Sequence, residues 1–92
     1  MQIQLTESFQ RDVSPLSDQE QAQLFNVMLK LPAALKNLHL HTGLGLRKIH
    51  PSGIFEARIG LGLRLLFGFE ARTIILHRVG THNDIQRYLR SL

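Results

Sequence analysis

The spacing of hydrophobic and polar positions changes near the middle of the chain, from a helical period to a strand period. Residues 17–32 (SDQEQAQLFNVMLKLP) place apolar side chains three or four positions apart, as an amphipathic helix does. Ser17 followed by Glu20 predicts a capping box at its start. Pro32 is expected either to close the helix or to begin a last turn through residues 32–38. The predicted apolar stripe consists of Ala22, Phe25, Met28 and Leu29, with Leu24 and Leu31 beside them.

A shorter helical segment precedes that helix. Phe9 and Val13 are four residues apart and share a helical face, and Pro15 ends the segment. Two helices joined by a short turn predict a helical hairpin. Before them, residues 2–6 (QIQLT) alternate in polarity and favour a short first strand.

From residue 54 onwards the alternation has period two. Phe55, Ala57 and Ile59 point to one face, and Ile54, Glu56 and Arg58 to the other. The next strand repeats the pattern, with one face formed by Leu63, Leu65, Phe67 and Phe69 and the opposite face by Arg64, Leu66, Gly68 and Glu70.

Two further segments are predicted to join this sheet. Residues 73–80 (TIILHRVG) are apolar enough for a central strand, on which His77 is expected to share a face with Ile75 and Val79 as a half-buried histidine. Residues 46–50 (LRKIH) favour one strand more. The connections GLG and EAR are short, so the strands should form an antiparallel meander.

The final stretch, THNDIQRYLRSL, is predicted to form a short helix with Thr81 as its cap and Asp84 as the capping-box partner. Helices first and strands later indicate an α+β fold in two layers: an N-terminal helical hairpin packed on an antiparallel sheet of about four strands, followed by a short C-terminal helix or tail. The other sheet face is expected to be open. Residues 1–92 are predicted to form a single domain.

Composition excludes several classes of protein. The chain has 92 residues, 43% of them hydrophobic, with no apolar run near the length of a membrane span. Its start lacks the basic and apolar regions of a secretory signal, so we expect a soluble, cytoplasmic protein. The absence of cysteine excludes disulfides, thiol catalysis and cysteine-based zinc sites.

Charge is unevenly distributed. The net charge is +4, yet residues 47–92 alone carry eight basic and three acidic side chains, and seven of those eight are arginine. Arginine suits bidentate contact with phosphate. The basic half therefore indicates a nucleic acid or an acidic protein as partner.

The predicted open face carries Glu56, Arg58 and Arg64. A hairpin closing around GLG brings the two arginines together, and their repulsion favours an anion or a carboxylate between them. This pattern is typical of a phosphate site with an adjacent carboxylate. The alternative is a solvated sheet face with an ordinary Glu–Arg cross-strand pair.

Histidines supply candidate acid–base chemistry. His39 and His41 have the spacing of two strand ligands but lack neighbouring carboxylates to complete a zinc site, so no metal is predicted. His82, which follows the last strand, is the best acid–base candidate because histidine titrates near neutrality. For Asp84 the capping role is favoured over catalysis. The single tyrosine, Tyr88, is either a packing residue or a site residue.

The run GIFEARIGLGLRLLFGFEARTIILHRVGTHND resembles the second half of toxins in the RelE/ParE superfamily of bacterial toxin–antitoxin systems. The order in those toxins is an apolar strand ending in arginine, a turn, a strand with an arginine near its start, an acidic turn, an aliphatic strand ending in "vG", and a short catalytic tail. The helical hairpin ahead of it also matches, so the resemblance covers nearly the whole chain.

The resemblance implies roles for particular residues. Arg64 would contact the scissile phosphate, His82 would act as acid or phosphate ligand, and Tyr88 would shape the site or stack on a base. Paired lysines that some members carry have no counterpart here, so the general base is either Glu56 or His50. The side chains expected to contact RNA phosphates are Arg47, Lys48, His50, Arg58 and Arg78.

The function implied is that of a ribosome-dependent endoribonuclease, which cleaves mRNA through attack by the 2′-OH and inhibits translation without metal or cofactor. Its partners would be the ribosome, mRNA and a cognate acidic antitoxin. The alternative is a ParE-like toxin that is not an enzyme and poisons DNA gyrase by binding it. Such members lack the acid–base set, so Arg64, His82 and Tyr88 together favour the nuclease. A third interpretation is a nucleic-acid-binding module with a decayed site.

Overall fold

The computed structural model describes residues 1–36 and 44–92. The described chain contains five strands and three helices, in the order β1 (Gln2–Leu5), α1 (Glu7–Val13), α2 (Asp18–Lys36), β2 (Arg47–His50), β3 (Ile54–Ile59), β4 (Leu63–Glu70), β5 (Thr73–Thr81) and α3 (His82–Arg90). The α+β class is confirmed. Among these helices none has both the length and the apolar run that a membrane crossing requires.

The sheet has five strands in the order β1-β5-β4-β3-β2, one more than the approximate four of the prediction. The two short segments predicted as further strands, residues 2–6 and 46–50, form the two edge strands of the sheet. Strands β2 to β5 form the predicted antiparallel meander, but β1 lies parallel to β5, with Gln2 opposite Thr73 and Leu5 opposite Leu76. This parallel pair joins the two ends of the chain, so local turn signals could not predict it.

Both N-terminal helices begin at a side-chain cap, of which only the one at Ser17 was predicted. The Thr6 hydroxyl accepts from the Phe9 backbone N–H at 3.0 Å, which caps α1. Ser17 and Glu20 form the predicted capping box at the start of α2. Helix α2 continues through Pro32 to Lys36, so the proline does not end it. The rest of the predicted turn to residue 38 lies outside the described residues.

The apolar stripe predicted for α2 is wrong in its rotation about the helix axis. The buried positions are Leu24, Val27, Leu31 and Ala34, whereas Phe25 is 57% exposed and Leu29 is 78% exposed. The helix has more apolar residues than one face can bury, and two overlapping sets share the helical period. Contact with the sheet selects the set that includes Val27 and Ala34.

A bulge in β5 changes which side chains share a face. Leu66 pairs with Arg78 and Phe67 with Leu76, so His77 has no partner on β4. Ile75, opposite Gly68, lies on the sheet face away from helices α1 and α2, while Val79 packs in the main core. His77 lies over Gly68, with its Nε2 3.1 Å from the position a Cβ would take there. The predicted shared face of His77 and Val79 is therefore wrong, because the extra residue reverses the alternation between them.

Helix α3 covers part of the sheet face that was expected to be open. It begins at a complete capping box, in which the Thr81 N–H donates to Asp84 Oδ2 and the Asp84 N–H donates to Thr81 Oγ1. Ile85 is 1% exposed and packs with Ile54 and Leu66 in a second, smaller core. What remains open of this face lies to either side of α3.

Candidate functional site

A polar cavity of about 150 Å³ opens at the N-terminal end of α3. Its lining comes from three strands, from the segment before β2 and from the first residue of α3. The lining residues are Gly45, Arg47, Glu56, Arg58, Arg64 and His82. With three cations against one carboxylate, the cavity suits an anion.

Glu56 lies at the floor of this cavity and is 3% exposed. Its Oε1 is 3.5 Å from Arg47 Nε and 3.8 Å from Arg64 Nε. Its Oε2 is buried and has no hydrogen-bond partner in the described part of the chain. Buried carboxylate oxygens are ordinarily satisfied, so an acceptor without a partner marks Glu56 as a candidate functional residue.

Arg58 and Arg64 are direct cross-strand partners in the register of β3 and β4. Like charges opposite each other destabilise a sheet. Arg64 reduces this cost by approaching Glu56 and by donating from Nη1 to the Leu63 carbonyl at 2.9 Å. Arg58 is exposed and has no ion pair among residues 1–36 and 44–92, so its guanidinium is available to an anion in the cavity.

His82 is the first residue of α3 and is exposed at the cavity wall. The capping box sets where the helix begins, because Asp84 folds back to the Thr81 N–H. Hydrogen bonding from the Thr81 backbone, and then from its side chain, holds the pKa of Asp84 below its usual range. Asp84 therefore stays ionised as a cap, and the acid–base candidate of the segment is His82.

Gly45 is a cavity residue that the sequence analysis did not identify. It has a φ of +58°, and a Cβ there would lie 3.0 Å from the Cδ and Cγ of Arg58. The Arg58 N–H donates to the Leu44 carbonyl at 2.8 Å, which fixes this segment against β3. The glycine thus lets the backbone pass close to the Arg58 side chain. Its signal in the sequence was only that it is one of two glycines in residues 43–47 (GLGLR).

Two predicted site residues line a different cavity. Arg78 and Tyr88 contribute to a space of about 280 Å³ together with Asp12, Val79, Asp84, Arg87 and Ser91. The Arg78 guanidinium carbon lies 5.4 Å from the centre of the Tyr88 ring. Hydrogen bonds to Asp12 raise the pKa of Arg78. The structure therefore does not bring these two residues to the cavity of Glu56 and His82.

The other predicted phosphate contacts lie on β2. Lys48 is exposed. His50 Nδ1 and the Ser52 hydroxyl form a hydrogen bond with 2.6 Å between the two atoms. Neither lines the cavity of Glu56. His39 and His41 lie outside the described residues. Within the described ranges, no three histidine, aspartate or glutamate side chains come together as metal ligands would.

The arrangement can perform acid–base chemistry beside a bound anion. A buried carboxylate, an exposed imidazole and two cross-strand guanidiniums line one small space. A carboxylate can take a proton, an imidazole can give one, and guanidiniums stabilise charge that develops on phosphate oxygens.

No protein-family model and no curated protein sequence matches the chain significantly. Solved structures are similar to it. A toxin from Helicobacter pylori shares 22% identity at a TM-score of 0.70, covering 92% of this chain and 98% of that chain. The RelB–RelE antitoxin–toxin complex from Methanococcus jannaschii shares 19% identity at a TM-score of 0.65, covering 92% and 96%. The YoeB–YefM complex from Staphylococcus aureus shares 14% identity at a TM-score of 0.68, covering 89% and 97%.

These similarities show that the chain has the fold of RelE and YoeB toxins. The resemblance found in the sequence is thereby confirmed at the level of the fold. The first of the structures is a copper-bound mutant toxin, the second is an antitoxin–toxin complex, and the third is a complex of YoeB with YefM.

Proposed function

We propose that this chain, which has the fold of RelE and YoeB toxins, is the toxin of a bacterial type II toxin–antitoxin system and cleaves mRNA on the ribosome. The observation that carries the proposal is the buried Glu56 carboxylate, whose Oε2 has no described partner and which lies in one cavity with Arg58, Arg64 and His82. A carboxylate that lines such a cavity can accept the proton of an RNA 2′-OH.

The reaction follows from the positions of these groups. The Glu56 carboxylate takes the proton of the 2′-OH, and the 2′-oxygen attacks the adjacent phosphorus. Arg58 and Arg64 stabilise the charge on the pentavalent phosphate. His82 gives a proton to the departing 5′-oxygen, which leaves a 2′,3′-cyclic phosphate on one product and a 5′-OH on the other.

Glu56 rather than His50 is the general base in this proposal. Glu56 lines the cavity with both arginines, whereas His50 is engaged with Ser52 and does not line it. A general base must come within hydrogen-bond reach of the proton it removes, so the position of Glu56 in the cavity supports it over His50.

The partners belong to the proposal as well. A cognate acidic antitoxin is complementary to the basic cavity, and the toxins in the RelB–RelE and YoeB–YefM structures are each bound to an antitoxin. Ribosomes and mRNA would place the protein's action in the cytoplasm. The whole of residues 1–92 is proposed to act as one toxin domain.

Induced expression in a bacterium tests this function. We expect growth arrest in which protein synthesis, followed by pulse labelling, stops before DNA synthesis. Arg64→Ala and His82→Ala should each abolish the arrest, while Arg72→Ala and Asn83→Ala, at exposed positions that do not line the cavity, should not. Circular dichroism of the purified variants checks that each is folded.

Two results would contradict the proposal. One is arrest of DNA synthesis while protein synthesis continues, which would support the gyrase-binding alternative. The other is full toxicity of both the Arg64 and the His82 variant. With purified ribosomes, a 2′,3′-cyclic phosphate at the cleaved mRNA end is the expected product, and its absence would exclude attack by the 2′-OH.

A further inference from the structure

Helix α3 carries His82, and its placement depends on contacts with the rest of the fold. It has nine residues, fewer than an isolated helix needs to be stable in water. Ile85 anchors its middle in the small core with Ile54 and Leu66. One buried side chain lets a short helix pivot, so a second contact is needed to fix its direction.

Leu89 supplies one such contact, because it packs against the same small core. Tyr88, two residues before the end of α3, supplies another. The Arg78 guanidinium stacks on the Tyr88 ring at 5.4 Å, within the range of a cation–π interaction. Tyr88 also packs against the small core that contains Ile85. The direction of α3 is thus set partly by where the Arg78 guanidinium lies.

Asp12 on α1 fixes that guanidinium. Its Oδ2 accepts from Arg78 Nε at 2.7 Å and its Oδ1 accepts from Arg78 Nη2 at 3.0 Å, which makes a bidentate pair. Oδ2 also accepts from the Val79 backbone N–H at 3.1 Å. One carboxylate therefore holds both the side chain and the backbone of β5 at the point where β1 no longer covers its edge.

We propose that Asp12, Arg78 and Tyr88 form a clamp that positions α3 and thereby His82. None of the three lines the cavity of Glu56 and Arg64, so they act on the chemistry through the elements that they position and not by contact with the reacting groups. The part of this proposal that concerns activity rests on the proposed nuclease function. The part that concerns the placement of α3 does not.

The clamp gives Tyr88 a different role from the stacking on RNA that the resemblance implied. The ring already has a stacking partner in Arg78. His82 and Tyr88 are six residues apart, which is about 9 Å along a helix, so a small tilt at Tyr88 moves His82 by a comparable amount. A displacement of about 1 Å in a catalytic group can cost about 100-fold in rate.

Asp12→Asn tests the clamp, because Asp12 is on α1 and contacts neither the cavity nor its anion. With ribosomes programmed with mRNA, we expect the saturating cleavage rate to fall about 10- to 100-fold. The ribosome concentration at half-saturation should stay within about twofold of wild type, because the cationic lining is unchanged. Glu7→Gln, which removes the same charge from the same helix without touching Arg78, is the matched control.

Coupling between the clamp residues gives a second measurement. Arg78→Lys keeps the charge but not the bidentate geometry, so it should lower the saturating rate as Asp12→Asn does. The double variant should be no slower than the slower single variant, because both changes break one contact. Additive losses would overturn the clamp.

Hydrogen exchange decides the structural part without any assay of activity. Backbone amides of α3 should exchange faster in Asp12→Asn than in wild type or in Glu7→Gln. The increase should exceed the one expected from the loss of global stability, which urea unfolding measures. Unchanged exchange in α3, or a raised half-saturation with an unchanged saturating rate, would overturn the clamp. If wild-type protein cleaves no mRNA, the nuclease function fails and the exchange result alone decides the clamp.

Discussion

At the scale of single residues, Glu56 has the least ordinary surroundings in the described chain. It is 3% exposed, yet its ion pairs with Arg47 and Arg64 are at 3.5 and 3.8 Å and one oxygen has no partner. A fold optimised only for stability would satisfy this oxygen or replace the side chain with an apolar one. The residue therefore indicates a site at which stability is given up for binding or chemistry.

Replacing Glu56 with glutamine should lower stability. The change leaves the volume intact but removes the counter-charge of the half-buried Arg64, for which we expect a loss of about 1–3 kcal/mol in the free energy of unfolding. Urea denaturation measures it. Glu70→Gln, an exposed acid on the next strand, should change stability by less than about 0.5 kcal/mol. Equal effects of the two substitutions would show that Glu56 is not electrostatically coupled to its arginines.

His77 predicts a pH dependence of stability. Burial lowers its pKa below the ordinary value of 6.5, because the charged form is disfavoured over Gly68. The folded state therefore binds fewer protons than the unfolded state. The corresponding stability is fully present above pH 6.5 and is lost as the pH falls from 6.5 towards the lower folded pKa.

Comparison with His77→Gln separates this contribution to stability from those of the other titratable groups. These are the other histidines and Glu70, which lines the same cavity as His77. Thermal unfolding of both proteins should be followed between about pH 8 and pH 5, a range that spans the ordinary histidine pKa. The wild type should lose more stability than the variant over the acidic part of that range. Parallel curves would mean that the imidazole is not desolvated.

At the scale of elements, the β4–β5 turn has a backbone conformation that its two loop residues do not favour. Its two loop residues, Ala71 and Arg72, have φ of 51° and 62°. Positive φ at both central positions is the geometry of a type I′ turn, which strongly favours Asn-Gly. Neither alanine nor arginine adopts it without strain. The strand pairing on both sides holds the turn in this conformation.

Substitution of Asn-Gly at residues 71 and 72 should stabilise the protein. We expect an increase on the order of 1 kcal/mol in the free energy of unfolding, because the strain of two left-handed residues is relieved. Urea denaturation measures the effect. A control with Asn-Gly replacing Leu61-Gly62, in the β3–β4 turn where the positive φ already falls on Gly60, should not stabilise. No gain at residues 71 and 72 would mean that this turn is unstrained.

At the scale of the whole molecule, three of the eight basic residues of the second half meet at one cavity. Arg47, Arg58 and Arg64 line it, whereas the charge of Arg78 is compensated by Asp12 in the other cavity. The two cavities therefore differ in what they can bind, although both contain arginine. Only the cavity of Glu56 and His82 has a surplus of cations.

Binding of single-stranded RNA should depend on salt accordingly. Three phosphate contacts predict a slope of about −2 for the logarithm of the association constant against that of the salt concentration. Arg58→Gln should reduce the slope by about 0.7, since one contact is lost. Fluorescence anisotropy with a labelled oligonucleotide measures both. Arg72→Gln, at an exposed turn, should leave the slope unchanged, and an equal reduction there would show that binding is diffuse.

The sequence by itself determined the elements and most of the cavity. Capping boxes at Ser17 and Thr81 and the alternation through Glu56, Arg58 and Arg64 depend on neighbours in the chain, so they can be read locally. Because β3 and β4 are joined by a short turn, that alternation also determined which polar side chains share a face.

Tertiary structure alone decided the rest. The rotation of α2, the parallel pairing of β1, the bulge at His77 and the Asp12–Arg78 pair all depend on contacts between residues far apart in sequence. So does the position of Tyr88, which local spacing left undecided between packing and the site. Long-range contacts satisfy the burial and hydrogen bonding of the fold as a whole, and no local pattern encodes which of several equivalent partners is chosen.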